Sequence, residues 1–288
     1  MASKTKPAKV TKAKKPAAKK ATKKVAPVAA PVAAPVEPDR KYEFTGETKV
    51  HLGVTLHRIR AIRAFGFIAV GTLGGWIESE KNLQQVYGNA WVSGDAQVYG
   101  DARVYGNAWV YGDAQVYGNA WVSGNAQVYG DAQVYGDARV YGNAQVYGDA
   151  RVYGDARVYG NAWVYGNAWV SGDAQVYGDA QVYGDAQVYG DARVYGNAWV
   201  SGDAQVYGDA QVSRPIICAT RSDGYTFTLV LMKNNTLRVI AGCRFFNMKE
   251  SREHWKWRAG TPLGAETDSI IDHFERMAAA GALGKVEG

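Results

Sequence analysis

The sequence predicts an all-β fold: a triangular β-solenoid of about seven eighteen-residue coils, with a β entry cap before it and a small α+β cap after it. Three observations carry this. From Val86 to Gln211 one hexapeptide, Val-x-Gly-(Asp/Asn)-Ala-x, repeats twenty-one times without an insertion. A second period of eighteen lies beneath the first. Every third repeat carries Asn89, Asn107, Asn125, Asn143, Asn161, Asp179 and Asn197 at its fourth position, and this class holds six of the eight array asparagines. Third, each hexapeptide joins a strand period to a bend, so three of them make one turn of a three-sided coil.

The chain divides into four segments. Residues 1–39 are rich in Lys, Ala and Pro and close with Ala-Ala-Pro-Val-Ala-Ala-Pro-Val-Glu-Pro-Asp39. Repelling lysines and regular prolines leave nothing to pack, so a disordered basic arm and a stiff spacer are expected. Residues 40–85 read as an entry module, with short strands at Thr55–Ile62 and Phe65–Val70 and a turn at Gly71-Thr-Leu-Gly-Gly-Trp-Ile-Glu78 that feeds the first coil. Residues 86–213 are the solenoid. In Ala-x-Val-x the strand alternation sends Ala and Val inward. Gly accepts left-handed backbone angles, and Asn or Asp supports the bend. Coils stacked at the ~4.8 Å strand spacing would give a rod of ~34 Å.

Residues 214–288 are the C-terminal cap. Tyr225–Met232 and Leu237–Ala241 alternate about a Lys233-Asn-Asn235 turn, which signals a hairpin. Helices are expected at Ser251–Trp257 and Asp268–Ala280, the second with Ile270, Ile271, Phe274 and Met277 on one face. Such caps answer a physical need, because an uncovered end coil exposes strand edges and apolar interior.

Val86-Tyr-Gly-Asn-Ala-Trp-Val92 resembles the hexapeptide-repeat left-handed β-helix. The entry Gly71-Thr-Leu-Gly-Gly-Trp-Ile-Glu-Ser-Glu-Lys-Asn-Leu83 is similar to that of YdcK-type bacterial β-solenoid proteins and their phage and prophage relatives. The resemblance covers roughly residues 42–213. Left-handedness is what it implies, and it implies no particular activity. The Lys/Ala/Pro arm falls outside it and resembles histone H1-like tails.

The eighteen-residue register sorts the outward positions into three faces. The first holds Arg103, Arg139, Arg157 and Arg193 beside Tyr87, Tyr105, Tyr141, Tyr159, Tyr177 and Tyr195. The second holds Trp91, Trp109, Trp163 and Trp199 beside Tyr111, Tyr129, Tyr147, Tyr165 and Tyr183. The third is mostly Gln97, Gln115, Gln133, Gln187 and Gln205 beside Tyr99, Tyr117, Tyr135, Tyr153, Tyr189 and Tyr207. Stacked tyrosines reinforce the sheets by packing on one another. An aromatic wall this large is also a candidate surface for a protein partner or for self-association, with Trp91, Trp109, Trp163, Trp199, Tyr111, Tyr129, Tyr147 and Tyr165 as its residues. Four of the six array tryptophans have Ser two residues on, at Ser93, Ser123, Ser171 and Ser201, which pairs a large side chain with a small one.

Charge separates the arm from the rest. Lys4, Lys6, Lys9, Lys12, Lys14, Lys15, Lys19, Lys20, Lys23 and Lys24 exceed the whole net charge of +6, so the remainder is acidic. A flexible block of lysines suits non-specific nucleic acid binding by counterion release, or serves as a solubilising tail, or meets an anionic membrane surface. In the array thirteen Asp face five Arg. The aspartates either cap turn amides and lean on the arginine two residues on, or line up for divalent cations. No bidentate Glu or carboxylate cluster marks a dedicated metal site.

Catalysis is not expected. Hexapeptide acyltransferases, the remote alternative, generally need a histidine base near the coil surface and a protruding loop. Here His51, His57, His254 and His273 all lie outside an array that has neither His nor a loop insertion. The array has no threonine ladder of the ice-binding kind either. Cys218 and Cys243 are too few for a disulfide framework. No apolar run reaches membrane-spanning length and no secretory signal precedes the arm, so a cytoplasmic protein is expected, in the bacterial host if phage-encoded. The sequence points to a cofactor-free scaffold or interaction module, with a self-assembling filament or particle component as the alternative.

Overall fold

In a computed structural model the described residues are 40–232, 236–242, 244–281 and 283. The lysine arm and Cys243 lie outside them. From Trp91 to Val212 each side of the coil is a strand of two residues, and these strands stack in three parallel sheets. Partners stand eighteen residues apart throughout: Gln97 pairs with Gln115, Trp109 with Gln127, Arg139 with Arg157. The axial bonds repeat in the same way, Gln115 N–H donating to Ala132 O at 2.9 Å and Tyr117 N–H to Val134 O at 3.0 Å.

The core follows from the alternation. Every Ala from Ala90 to Ala210 and every Val from Val92 to Val212 is buried. Each buried Val contributes ~2 kcal/mol in transfer terms. The corner needs glycine for two reasons, and Gly148 stands for its column. Its φ is +70°, and a Cβ built there would lie 3.1 Å from the amide nitrogen of Gly166 on the next coil. The left-handed backbone strains any residue with a Cβ, and the close stack leaves a methyl group in tight contact with the next coil.

About eight coils stack rather than seven, because the entry module supplies one more. Strands β1 (Tyr42–His51) and β2 (Val54–Ala61) form an antiparallel hairpin. The segment read as a feeding turn contains a strand, β3 (Leu73–Ile77), which pairs antiparallel with β2 and parallel with the first array strand of the third face. Phe65–Val70 forms no strand; it holds a single antiparallel bridge between Phe65 and Ile68. The entry coil is three residues out of register: Ile77 pairs with Val98 and Leu83 bridges Val104, each twenty-one residues on. Leu83 therefore takes the inward place that the repeat assigns to Val86, and Tyr87 is left 75% exposed, away from the ladder it was assigned to. Asn82 is buried at this junction, with its Nδ2 donating to Gly100 O at 3.0 Å and Ala102 O at 2.9 Å.

The roof of the rod is aromatic and holds one buried cation. Tyr42 and Phe65 meet the Trp91 indole edge-on. Lys41 is fully buried, and its Nζ donates to Ala90 O at 2.9 Å. Burial, helped by the nearby Arg63 charge, lowers its pKa to about 8.

At the far end a four-stranded antiparallel sheet (Ile217–Thr220, Thr226–Leu231, Leu237–Ala241, Arg244–Phe246) covers the last coil. The predicted hairpin is the middle pair of this sheet. Each face receives a covering contact: Ile216 N–H donates to Trp199 O, Val212 bridges Met232, and Phe245 meets the Tyr207 ring edge-on. Helix α1 spans Met248–Trp255 and passes into a 3₁₀ turn at Lys256–Arg258, so it starts earlier than expected, behind an Asn247/Glu250 capping box. Helix α2 spans Pro262–Ala279, and its start is set by Thr261 as N-cap and Pro at the first position. Ile271 and Phe274 are its buried anchors.

Replacing Gly148 by Ala is expected to cost at least ~1–2 kcal/mol from the left-handed backbone alone. Urea unfolding should show the loss as a lower midpoint; an unchanged midpoint would contradict the corner geometry.

Candidate interaction surface

The stack places like side chains above like, and their contacts build the surface. On the second face Tyr111, Tyr129, Tyr147, Tyr165 and Tyr183 stack with ring centroids 4.7–4.9 Å apart and nearly parallel planes. The first face stacks Tyr141, Tyr159, Tyr177 and Tyr195, and the third stacks Tyr99, Tyr117, Tyr135 and Tyr153, then Tyr189 with Tyr207. Offset stacking at such distances is favourable beyond the area it buries. In four coils the phenol also donates to the glutamine sixteen residues on, as Tyr111 does to Gln127 Oε1 at 3.3 Å.

The asparagine class forms a ladder of its own. Asn107 Nδ2 donates to Asn125 Oδ1, Asn125 to Asn143, Asn143 to Asn161, and Asn161 to the Asp179 carboxylate, at 2.9–3.1 Å. Asn119 and Asn167 donate in the same way to Asp137 and Asp185. Unit charges one coil apart repel by ~1 kcal/mol even in water. An asparagine set in an Asp column breaks that run and gives the next carboxylate a donor.

Arginine does not lean on the preceding aspartate as expected: among the described residues no array arginine forms an ion pair. Arg103 and Arg139 instead lie over the two sides of Trp121, at 5.8 and 5.2 Å, and Arg151 lies over Trp169 at 5.2 Å. The planar cation gains more on an indole face than beside a fully solvated carboxylate. It is Lys81, from the entry coil, that reaches Asp101, at 2.9 Å.

The eight aromatic candidates separate. Trp91 is 1% exposed and belongs to the roof, not to any surface, because the entry hairpin covers the first coil. Trp109, Tyr111, Tyr129, Tyr147 and Tyr165 are half-buried in the ladder, whereas Trp163 and Trp199 are exposed, Trp199 to 50%. At the entry end Trp109 and Tyr111 line a groove of about 630 Å³ with Gly66, Phe67, Ser93 and the amides Asn89, Asn107, Asn125 and Gln127. Phe67 is the residue sequence reasoning missed. It stands 94% exposed beside Gly66, whose φ of +51° turns the segment out over the second face. The Phe-Gly-Phe spelling was the available signal, and a glycine within a short apolar alternation favours a bend over a strand. The ten lysines of the arm lie outside the described residues.

The described histidines all sit in the caps, with His57 against Phe44 and His254 against Phe246 and Trp255. Burial lowers the pKa of His254. Among the described residues no three His, Cys, Asp or Glu side chains converge on a metal-sized site, and no helix is long and apolar enough to cross a membrane.

Burial raises the ladder phenols above their ordinary pKa of 10.0, Tyr99 to about 12. A raised phenol keeps its proton longer folded than unfolded, so its contribution is whole below pH 10 and is lost as pH rises through the folded value, about 12 for Tyr99. Lys41 acts in the opposite sense between about 8 and 10.5, as one group against the ladders. Thermal midpoints should therefore fall steeply above pH 10; a flat profile to pH 12 would contradict this.

No curated protein matches the chain. The family described as YdcK Beta solenoid repeat matches residues 85–98, 96–112, 114–131, 132–148, 144–158, 156–172 and 186–202. These stretches are array coils, so it is in its stacked rod that the chain is similar to the YdcK β-solenoid repeat.

Proposed function

We propose that the chain is a non-enzymatic scaffold, a short capped rod whose aromatic faces engage a protein partner and whose basic arm tethers it to nucleic acid. The observation that carries this reading is the exposure of Trp163 and Trp199 on a face whose neighbouring column is a self-stacked tyrosine ladder. Indoles at the surface cost solvation that a partner would recover, and contiguous aromatic patches mark contact sites. An array without histidine supports the non-catalytic part. The entry motif's similarity to phage and prophage solenoids supports a mobile-element origin, with action in the bacterial cytoplasm, where nucleic acid is at hand.

End-to-end self-assembly is less favoured, because both ends of the stack carry covering strands. Sedimentation velocity is expected to give one species across a hundred-fold range of concentration. For the tether, full chain and a 39–288 truncation are compared for retention of random-sequence duplex DNA at 50 and 200 mM salt. The full chain should bind with steep salt dependence and the truncation should not. Equal retention by both would reject the tether, and a Trp163→Ser/Trp199→Ser chain that keeps its partner would reject the aromatic face.

A further inference from the structure

The third face contains a slot one ring wide. Its ladder runs Tyr99, Tyr117, Tyr135, Tyr153, then Ser171, then Tyr189 and Tyr207. Stacked rings on this face are about 5 Å apart, 5.0 Å for Tyr135/Tyr153 and 5.1 Å for Tyr189/Tyr207. Tyr153 and Tyr189 flank the serine two coil steps apart, roughly 10 Å at the strand spacing. A ring placed midway would meet each at ~5 Å, within the range of favourable ring pairs.

The slot is open. Tyr153, Trp169, Ser171, Gln187 and Tyr189 line a cavity of about 240 Å³. A dry cavity of ~150 Å³ is enough to take benzene. Trp169 forms one wall of it, its indole 38% exposed and the Arg151 guanidinium 5.2 Å over one face. The first face differs: at its serine gap the Trp121 indole meets Tyr105 edge-on.

A polar contact selects the kind of ring. On the first and second faces four phenols donate to the glutamine sixteen residues on (Tyr111 to Gln127, Tyr129 to Gln145, Tyr159 to Gln175, Tyr165 to Gln181), whereas on the third face the Tyr99 hydroxyl has no hydrogen-bond partner. For position 171 that glutamine is Gln187, which lines the slot. Ser171 is too short to span the slot, so the site has stacking surfaces above and below and the Gln187 amide in its lining to accept a hydrogen bond. Charge disfavours the other common flat ring, a nucleobase with its phosphate, since the array carries thirteen Asp to five Arg.

We propose that this slot binds a tyrosine side chain of a partner polypeptide, its ring between Tyr153 and Tyr189 and its hydroxyl donating to Gln187 Oε1. This rests on the interaction reading above and gives it a specific anchor. The partner's tyrosine replaces the ring that the ladder omits, and the rod supplies the remaining contacts already ordered.

The test uses p-cresol, the tyrosine side chain as a free molecule, titrated into the full-length protein and followed by NMR. Saturable binding in the millimolar range is expected, with upfield shifts of the cresol ring protons from the two flanking rings. Ser171→Tyr closes the slot with the chain's own phenol. It should weaken binding at least ten-fold while raising the thermal midpoint, which shows that the variant is folded. Gln187→Leu should weaken p-cresol about two- to ten-fold, the loss of one hydrogen bond, and leave toluene unchanged. No saturable binding to the wild type, equal binding to Ser171→Tyr, or binding of adenosine in place of p-cresol would each overturn the proposal. None of these touches the partner-retention result for Trp163 and Trp199, so failure of the slot and failure of the interaction reading are separable.

Discussion

Each coil must return to the same place after eighteen residues, because its amides bond to carbonyls of the coil that follows. The bonds are regular, Gln133 N–H to Ala150 O and Tyr135 N–H to Val152 O among them, at 2.9 and 3.0 Å. The glycine corner makes the return possible. With φ near +70° and, through most of the stack, a neighbouring glycine backbone about 3 Å from any added Cβ, it strongly favours glycine. The axial step then equals the strand spacing, and every side chain above the corner inherits that step.

Much of the surface chemistry follows from this inheritance. Phenols five ångströms apart can only stack, and amides at the same spacing form a chain of donors and acceptors. Aspartates at that spacing repel, and the chain answers by setting among them asparagines that donate to the next carboxylate. A ladder with period eighteen also makes omission meaningful. Where Ser replaces Tyr the stack is cut: beside Ser123 the Trp121 indole meets Tyr105 edge-on, Ser93 lines the groove that Phe67 borders, and Ser171 lines an open slot.

The array was legible because its pattern is purely local: six residues specify one strand and one bend, and repetition supplies the rest. The inward Ala and Val, the three faces and the tyrosine ladders were all readable. The ends were less so. Leu83 displaces Val86 through a three-residue shift whose extra residues lie between Leu83 and Trp91, where the pairing interval drops from twenty-one to eighteen, and no hexapeptide rule anticipates it. Trp91 has the same spelling as Trp163, yet the entry hairpin buries it. That is a tertiary fact, since residues 42 and 65 are distant in sequence. The helix starts at Met248 and Pro262 were set by caps at Asn247 and Thr261, signals that were present but outweighed by apolar periodicity. At the candidate surface the ladder was visible in sequence, but which aromatics stay exposed depends on packing between coils.

The rod's central claim is that eighteen residues advance the backbone by one strand spacing. Spin labels at Asp113 and Asp203, exposed residues of one column in a background lacking Cys218 and Cys243, measure it directly by double electron–electron resonance. Five coil steps should give a single narrow distance of ~24 Å across ninety residues of chain. A broad distribution, or a distance well beyond 30 Å, would contradict the stacked coil and every face assignment built on it.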